Sequence, residues 1–205
     1  MVVYKLYYFQ ARGFAEMARQ LFALSETPYE DVRFEFNDWP NHKSKFKWGK
    51  LPLLEIDGVQ LPQSAAIARY LAKQFGYAGK TPLEEALVDS WGDLFKDYMF
   101  EASSYFYAMR DQKPNVEELR TTVFIPAAER LLTNLRDHLK TSKSGFIVDS
   151  GLTWVDIGFA DHFIKIKEIW PEAESKFPEI QEYQKRVQSI PKIKEWIEKR
   201  PQTQF

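Results

Sequence analysis

The first part of the chain alternates apolar and polar positions in two segments that flank a helical pattern. Residues 2–8 alternate and are rich in valine and tyrosine, which predicts a β-strand. Residues 14–24 carry Met17 and Leu21 at helical spacing, and residues 29–36 alternate again. A strand, a helix and a strand of these lengths predict two parallel strands joined by a right-handed crossover.

A hairpin and a second helix complete this region. Asp57-Gly58 lies between two short apolar runs, which is the strongest local signal for a β-hairpin. Residues 37–49 are polar and predict a loop with one helical turn, and a helix is predicted to begin at Ser64. The order strand, helix, strand, hairpin, helix predicts a thioredoxin-like α/β domain over residues 1–76.

The rest of the chain shows helical periodicity. A segment with two glycines and a proline, residues 76–82, predicts a linker. Long helices are predicted over residues 83–110 and 116–139, with a kink or break at Pro126. No strand pattern of domain size follows the linker, so the second domain, residues 82–205, is predicted to be all-helical.

A capping box marks one further helix. Thr153 precedes Asp156 by three positions at the start of an apolar run, which is the spacing of a reciprocal N-terminal cap. Shorter helices are predicted over residues 159–169, 180–190 and 193–199.

Composition narrows the functional classes. Lys and Arg total 28 against 29 Asp and Glu, so no overall field favours nucleic acid or an anionic membrane. The chain has no cysteine, which excludes disulfides, thiolate zinc sites and a cysteine nucleophile. No signal-peptide pattern opens the chain, and its uncharged runs fall short of the ~20 residues of a membrane helix. These features predict a cytoplasmic protein with no membrane segment.

Three separated segments together suggest a site for a small anionic thiol: residues 4–16, 50–54 and 61–65. They offer a phenol at a strand end, a backbone edge before a proline, and a hydroxyl and an amide at a helix start. Similar short motifs continue through the chain: Arg12-Gly13, Asp38-Trp39-Pro40, Gly49-Lys50-Leu51-Pro52, Gln63-Ser64 and Arg200-Pro201-Gln202-Thr203. Taken in order, the pattern resembles the cytosolic glutathione transferases, most closely the sigma class, which includes haematopoietic-type prostaglandin D synthase.

The resemblance assigns activation of the glutathione thiol to Tyr8. A free thiol has a pKa of ~8.5, and a hydroxyl that donates a hydrogen bond to the sulfur favours the reactive anion. Tyrosine, with a pKa of ~10, stays a donor. Tyr7 points to the other face by alternation and is predicted to pack. The alternative for Tyr8 is an aromatic side chain satisfied by the core.

Two motifs are expected to hold the γ-glutamyl and cysteinyl parts of glutathione. The resemblance places the γ-glutamyl carboxylate at Gln63 and Ser64, where a helix start favours an anion. Ser64 as a plain N-cap is the alternative. Leu51-Pro52 resembles the cis-proline turn of the family, which would leave the Leu51 backbone to pair with the cysteinyl residue. A trans proline that ends a loop is the alternative.

The glycine end of glutathione is assigned by the resemblance to Trp39, Lys43 and Lys50, with Gly49 in the same motif. For an isolated lysine, an exposed surface position is the usual explanation. Asp97 matches an acid that reaches across a homodimer to the γ-glutamyl amine, and its alternative is an exposed helix charge.

Two departures from the family pattern affect the expected chemistry. Phe14 stands where many sigma-class members carry an arginine beside the thiolate, so the neighbouring pocket is predicted to be more apolar. Asp93 and Asp97 remain from the acidic cluster that binds a divalent cation in the prostaglandin synthase, but Lys96 replaces a third acid. We therefore expect no metal. Ser104 stands in place of the tryptophan of that enzyme's substrate pocket.

An apolar pocket for the second substrate is expected between the two halves. Its expected lining residues are Phe9, Phe14, Met99, Phe106 and Phe205. These side chains could equally belong to the core. Adaptable Met and aromatic walls favour broad detoxification over a single metabolite.

The resemblance thus implies a homodimeric glutathione transferase that conjugates hydrophobic electrophiles, with glutathione as co-substrate. A carrier of haem or hydrophobic ligands is one alternative, although His42, His138 and His162 show no pattern for haem ligation. A glutathione-dependent prostaglandin isomerase is another. A crystallin-like structural relative is disfavoured, because the glutathione motifs are retained apart from Phe14.

Overall fold

Two compact units make up the computed structural model, which describes residues 2–203. The first unit runs to Ala78 and resumes at Gln188, and the second unit runs from Gly79 to Val187. The C-terminal segment therefore groups with the first unit, so the contacts divide the segment predicted as one helical domain between both units.

The first unit contains a four-stranded mixed sheet in the order β2-β1-β3-β4. Its strands are β1 (Tyr4–Phe9), β2 (Glu30–Phe34), β3 (Leu53–Ile56) and β4 (Val59–Pro62). β1 is parallel to β2 and antiparallel to β3, while β3 and β4 form the predicted hairpin. The predicted thioredoxin-like fold of this region is confirmed.

Helices account for most of the remaining described residues. In chain order they are α1 (Glu16–Ser25), α2 (Trp39–His42), α3 (Ser64–Phe75), α4 (Pro82–Glu101), α5 (Ser103–Arg110), α6 (Val116–Leu119), α7 (Ile125–Leu139), α8 (Trp154–Ile169), α9 (Ala173–Lys176), α10 (Pro178–Gln188) and α11 (Pro191–Lys199). Gly79–Val187 is all-helical apart from its turns and one isolated β-bridge, as predicted.

Alternation along β1 separates two faces of the sheet. Tyr4, Leu6 and Tyr8 are buried, and the Tyr4 ring lies 5.4 Å from Phe22 of α1 and 6.4 Å from Phe75 of α3. α1 and α3 also contact each other, so they cover this face. α11 packs on α1, and this contact places the C-terminal segment in the first unit.

Several helix bounds differ from those predicted. The helix predicted over residues 83–110 is divided at Ala102, and a π-helical turn over Arg120–Phe124 separates α6 from α7. Pro126 lies in the first turn of α7, directly after this π-helical turn, so the helical hydrogen bonding is interrupted close to the predicted position. The loop predicted over residues 37–49 contains α2 and two short 3-10 turns.

The second unit is built around α8. Its first seven residues, Trp154 to Ala160, are all buried, as expected for a helix that neighbours surround on every side. The predicted capping box is present, with Thr153 and Asp156 bonded reciprocally at the start of the helix. No helix within residues 2–203 has the length and apolar character needed to cross a membrane.

Candidate functional site

Strand register brings three of the predicted segments to one end of the sheet. Tyr7 pairs with Leu53, and Leu53 pairs with Pro62, so these residues form one row across β1, β3 and β4. β1 and β3 are antiparallel, and so are β3 and β4. The residues that follow this row toward one end of the sheet are therefore Tyr8, Pro52 and Gln63. β2 is parallel to β1, so the loop that follows β2 leaves from the same end.

The Tyr8 side chain is buried at this end, and its hydroxyl oxygen accepts the backbone N–H of Phe14 at 3.1 Å. Gly13 makes this approach possible: a Cβ at Gly13 would lie 2.6 Å from the Tyr8 hydroxyl oxygen, and its φ is +40°. Burial raises the pKa of Tyr8, while the Phe14 N–H and the Arg19 cation act in the opposite direction. The hydroxyl therefore keeps its proton at neutral pH.

Tyr7 occupies the opposite face of the sheet. Its ring stacks on Phe34 with centroids 6.4 Å apart and meets Phe46 edge-on at 5.1 Å. These contacts agree with the packing role predicted for Tyr7, so the two adjacent tyrosines have different surroundings.

Trp39 and Phe9 belong to the same aromatic layer. The Trp39 ring lies 5.8 Å from Phe9 and 5.3 Å from Phe46, and it is half-buried. Phe9 also stacks on Phe36 at 4.5 Å. These contacts fix the start of the loop that follows β2.

The rest of this loop carries the predicted lysines. Lys43 and Lys50 are exposed, and the Lys43 stem lies close to Gly49, where an added Cβ would be 3.0 Å from the Lys43 Cε. Gln60 of β4 accepts the Lys47 backbone N–H at 2.8 Å. This contact joins the lysine-bearing loop to the edge of the sheet.

The start of α3 and the residues before β3 adopt unusual backbone conformations. Gln63 occupies the N-cap position of α3 with φ 79° and ψ 114°, and its side chain makes no capping hydrogen bond. Ser64 is the first helical residue, so it does not occupy the N-cap position considered as its alternative role. The peptide bond between Leu51 and Pro52 is cis.

Except for Phe14, the remaining predicted residues lie in the second unit or outside the described residues. Asp97 is exposed on α4, and Met99 on the same helix is half-buried. Phe106 of α5 is half-buried, with its ring 5.6 Å from Phe124. Phe205 lies outside the described residues. Phe14, in the first unit, is 44% exposed, and its backbone N–H is the group that contacts the Tyr8 hydroxyl oxygen.

The three histidines have local partners. His42 lies 2.9 Å from an Asp38 carboxylate oxygen, His138 lies 2.8 Å from the Ile147 carbonyl oxygen, and His162 lies 3.0 Å from the Tyr98 hydroxyl. Within residues 2–203, no three His, Cys, Asp or Glu side chains are grouped as a metal site.

A buried charged cluster behind Tyr8 was not predicted. Arg19 and Glu16 of α1 are 0% and 2% exposed, although both are charged. Opposite charges three residues apart, within a helix whose neighbouring positions are apolar, were the available signal. The hydrophobic pattern alone does not predict this buried pair, because long charged side chains on helices are mostly solvent-exposed.

Comparison with known proteins gives one consistent family. Residues 4–73 match the family description "Glutathione S-transferase, N-terminal domain", and residues 96–200 match "Glutathione S-transferase, C-terminal domain". A probable glutathione S-transferase 5 of Caenorhabditis elegans is 46% identical over 208 residues, covering 100% of both chains.

Solved structures similar to this chain agree with the family match. A Nu-class enzyme from Haemonchus contortus has TM-score 0.90 and 45% identity, with 100% of both chains covered. A glutathione S-transferase of the hookworm Necator americanus, described as monomeric, has TM-score 0.94 and 43% identity, covering 99% of this chain and 100% of that one. A prostaglandin synthase D of Nilaparvata lugens has TM-score 0.88 and 36% identity, covering 98% and 100%.

Proposed function

Since the chain belongs to the glutathione S-transferase family, we propose that it joins the thiolate of glutathione to hydrophobic electrophiles, with Tyr8 as the activating donor. The observation that carries this proposal is the buried Tyr8 hydroxyl, which accepts the Phe14 N–H at 3.1 Å. Because that N–H engages the phenolic oxygen as an acceptor, the hydroxyl proton remains available for another partner. The sulfur of glutathione is that partner.

The energetics suit a single hydrogen bond. Lowering a thiol pKa of ~8.5 by about two units requires ~2.7 kcal/mol of preference for the anion. A hydrogen bond to a charged group supplies ~1.5–3 kcal/mol. Burial raises the pKa of Tyr8, so the phenol stays protonated while the sulfur ionises. The cation expected from sigma-class relatives is replaced by Phe14, and the phenol supplies most of the stabilisation.

Gln63, Ser64 and Leu51 form the proposed site for the γ-glutamyl and cysteinyl parts. The amino end of α3, a helix of 12 residues, offers N–H donors and a favourable dipole to the γ-glutamyl carboxylate. Leu51 lies before the first paired residue of β3, so its backbone can pair with an extended peptide as an added strand. Pro52 fixes the direction in which this edge is presented.

Trp39, Lys43 and Lys50 form the proposed site for the glycine carboxylate, with Gly49 beside the Lys43 stem. The lysines are exposed on a loop whose base is fixed by aromatic contacts. Flexible cations on an anchored loop suit a carboxylate that is partly in water. Each is expected to affect affinity for glutathione more than the chemical step.

We propose that the chain forms a homodimer in which Asp97 of one subunit reaches the γ-glutamyl amine of the glutathione bound to the other subunit. Asp97 is exposed on α4, as this role requires. The Necator americanus relative described as monomeric represents the opposite outcome. Sedimentation equilibrium distinguishes the two, because the monomer mass is 24.1 kDa.

Electrophile binding is proposed at apolar residues beside the sulfur site. Phe14 has an exposed apolar side chain, and its backbone N–H contacts the Tyr8 hydroxyl oxygen, which favours hydrophobic substrates at this position. Phe9, Met99, Phe106 and Phe205 remain predictions for the same role. The sigma-class assignment likewise stays a prediction, since a Nu-class structure is also similar.

Glutathione-dependent isomerisation of a prostaglandin endoperoxide is the second candidate function. It is favoured by the 36% identity to the prostaglandin synthase D of Nilaparvata lugens. Ser104 and Lys96 both depart from the pattern expected of that enzyme. Product analysis after incubation with the endoperoxide separates this activity from conjugation.

The decisive experiment compares conjugation of a chromogenic aryl halide by the wild type and by Tyr8→Phe. Loss of a hydrogen bond worth ~1.5–3 kcal/mol lowers the rate at neutral pH by about one to two decades. Tyr7→Phe is the matched control, since Tyr7 packs on the other face and should leave the rate within about twofold. A Tyr8→Phe enzyme as fast as wild type would contradict the proposal.

A further inference from the structure

Arg19 of α1 carries a fully buried cation. Its Nη1 donates to the Ala11 carbonyl at 2.6 Å and lies 3.4 Å from the Arg12 carbonyl. These carbonyls belong to the segment that leads from Tyr8 to Gly13. Burying a charge costs several kcal/mol unless it is paired and hydrogen-bonded, so the position of this guanidinium is strongly constrained.

Two acids pair with the Arg19 guanidinium, Asp31 from β2 and Glu16 from the same helix as Arg19. Its Nε donates to both Asp31 oxygens of β2, at 3.2 and 3.1 Å, and its Nη1 lies 3.6 Å from Glu16 Oε2. The guanidinium carbon is 5.9 Å from the centre of the Tyr8 ring, which is within cation–π range. Nη2 has no hydrogen-bond partner among residues 2–203, so the other contacts determine the orientation.

Residues from the C-terminal segment hold Glu16 in turn. Trp196 Nε1 and Arg200 Nη1 each donate to Glu16 Oε1 at 2.7 Å. They are 180 and 184 residues away in the chain, which makes these contacts long-range. Gln20 Nε2 adds a third donor to the same oxygen at 3.4 Å.

The charged groups therefore form a continuous chain. Arg200 pairs with Glu16, Glu16 with Arg19, and Arg19 with Asp31, which also binds Arg33 at 2.8 Å. Three cations surround two carboxylates, so removing either acid would leave buried positive charge poorly compensated. Such networks have well-defined geometry because each member limits the freedom of the next.

We propose that Arg19 is a positioning residue for the Tyr8 hydroxyl, held in place by the C-terminal segment through Glu16, Trp196 and Arg200. The inference rests on the proposed function of Tyr8. Arg19 fixes the Ala11 and Arg12 carbonyls, and these lead directly into the Phe14 N–H that the Tyr8 oxygen accepts. The C-terminal segment thus influences the reactivity of the thiol through α1, which covers the sheet face that carries Tyr8.

The test measures three quantities in each variant: the ultraviolet titration of bound glutathione thiolate, the pH profile of kcat/KM, and the Kd of glutathione. Arg19→Gln should lower kcat roughly tenfold or more and move both titrations to higher pH, because small misplacements of a catalytic group can cost about a hundredfold. The Kd of glutathione should change less than about twofold, since the hydrogen bonds of Arg19 go to Asp31 and to the Ala11 and Arg12 carbonyls, not to the residues proposed for the two ends of glutathione.

Trp196→Phe is the milder variant and keeps the test decisive if Arg19→Gln does not fold. It removes the indole N–H that Glu16 accepts, together with one ring of the side chain, and should lower kcat about threefold, with a smaller shift in the same direction. Lys192→Gln is the matched control, because it breaks the 2.5 Å bridge from α11 to Glu26 without touching Glu16. It should leave both titrations unchanged.

Tyr8→Phe in the same assays separates this inference from the proposed function. If Tyr8→Phe shifts the thiolate titration while Arg19→Gln or, failing that, Trp196→Phe leaves it unmoved, the positioning role is wrong. If Tyr8→Phe itself leaves the titration unmoved, the proposed function fails first. Shifts in Tyr8→Phe and in the network variants, but not in Lys192→Gln, support both.

Discussion

Within residues 2–203, each unit contains one buried acid near the start of a helix, and the two acids are stabilised differently. Glu16 begins α1 and is surrounded by two guanidinium groups and an indole N–H. Asp156, in the first turn of α8, receives mainly neutral donors at 2.6–2.9 Å. These donors are the Ile147 N–H, the Thr153 N–H and hydroxyl, and the Tyr183 hydroxyl.

The difference indicates two uses of a buried carboxylate. Neutral donors around Asp156 satisfy the start of α8 and attach it to neighbouring elements, which stabilises the second unit. Cations around Glu16 come from separate parts of the chain and lead to the segment beside Tyr8. We infer that the first arrangement serves stability, whereas the second also determines geometry at the site.

The largest effect is expected at Asp156. Asp156→Ala leaves the Ile147 N–H, the Thr153 N–H and the Tyr183 hydroxyl without their acceptor in the core. At ~1–3 kcal/mol for each unsatisfied buried donor, the free energy of unfolding should fall by at least about 3 kcal/mol. Denaturant unfolding measures this loss.

Asp149→Ala is the control for that experiment. Asp149 is an exposed acid in the same region, and it accepts the Lys143 N–H at 3.2 Å. Its removal should change stability by less than about 0.5 kcal/mol. If both variants lost the same free energy of unfolding, the buried hydrogen bonds of Asp156 would contribute no more to stability than an exposed contact.

Two glycines allow a sharper comparison, because each makes room for an aromatic ring. A Cβ at Gly13 would press on the Tyr8 hydroxyl, and a Cβ at Gly92 of α4 would collide with the Trp154 ring. Gly13→Ala should lower conjugation by up to about a hundredfold through displacement of the hydroxyl. Gly92→Ala should instead cost ~1–3 kcal/mol of stability, with activity per folded molecule retained.

Gly58→Ala controls for backbone strain at Gly13. Gly58 has φ +86° and no atom within 4 Å of an added Cβ, so the substitution introduces strain without an aromatic contact. It should lower stability by ~1–3 kcal/mol and leave conjugation unchanged. Full activity of Gly13→Ala would mean that the Tyr8 hydroxyl tolerates displacement, against the proposed mechanism.

The smallest effect concerns pH. Burial raises the pKa of Asp156 above its value of ~3.9 in the unfolded chain, although its hydrogen bonds act in the opposite direction. Between the unfolded pKa and the higher folded pKa of Asp156, the folded state therefore binds more protons than the unfolded state. The free energy of unfolding falls as pH rises through that window. The unfolding free energy of wild type minus that of Asp156→Asn should decrease with rising pH. An increase over the same range would contradict this.

The local sequence pattern was sufficient to predict most helices and strands and the positions of several site residues. Alternation in β1 separated Tyr8 from Tyr7, and the Asp57-Gly58 turn identified the hairpin. The spacing of Thr153 and Asp156 identified the cap of α8. Each signal is a contact within a few residues, so it depends on local geometry that the sequence alone specifies.

Helix bounds were less predictable. The break at Ala102 interrupts a segment whose periodicity is continuous, and the π-helical turn over Arg120–Phe124 lies just before Pro126, where a kink or break was predicted. The spacing of apolar residues indicates which face of a helix is buried. A local change in helical hydrogen bonding leaves that face buried, so the spacing does not reveal the change. Tertiary packing selects where the change occurs.

The sequence by itself determined the thioredoxin-like order of elements, the helical character of residues 79–187 and the strand-end position of Tyr8. Only the tertiary structure decided that α11 joins the first unit and that Trp196 and Arg200 close on Glu16. The physical reason is chain separation. Periodicity records which side chains leave water, whereas the partner of a buried charge is chosen by packing between distant segments.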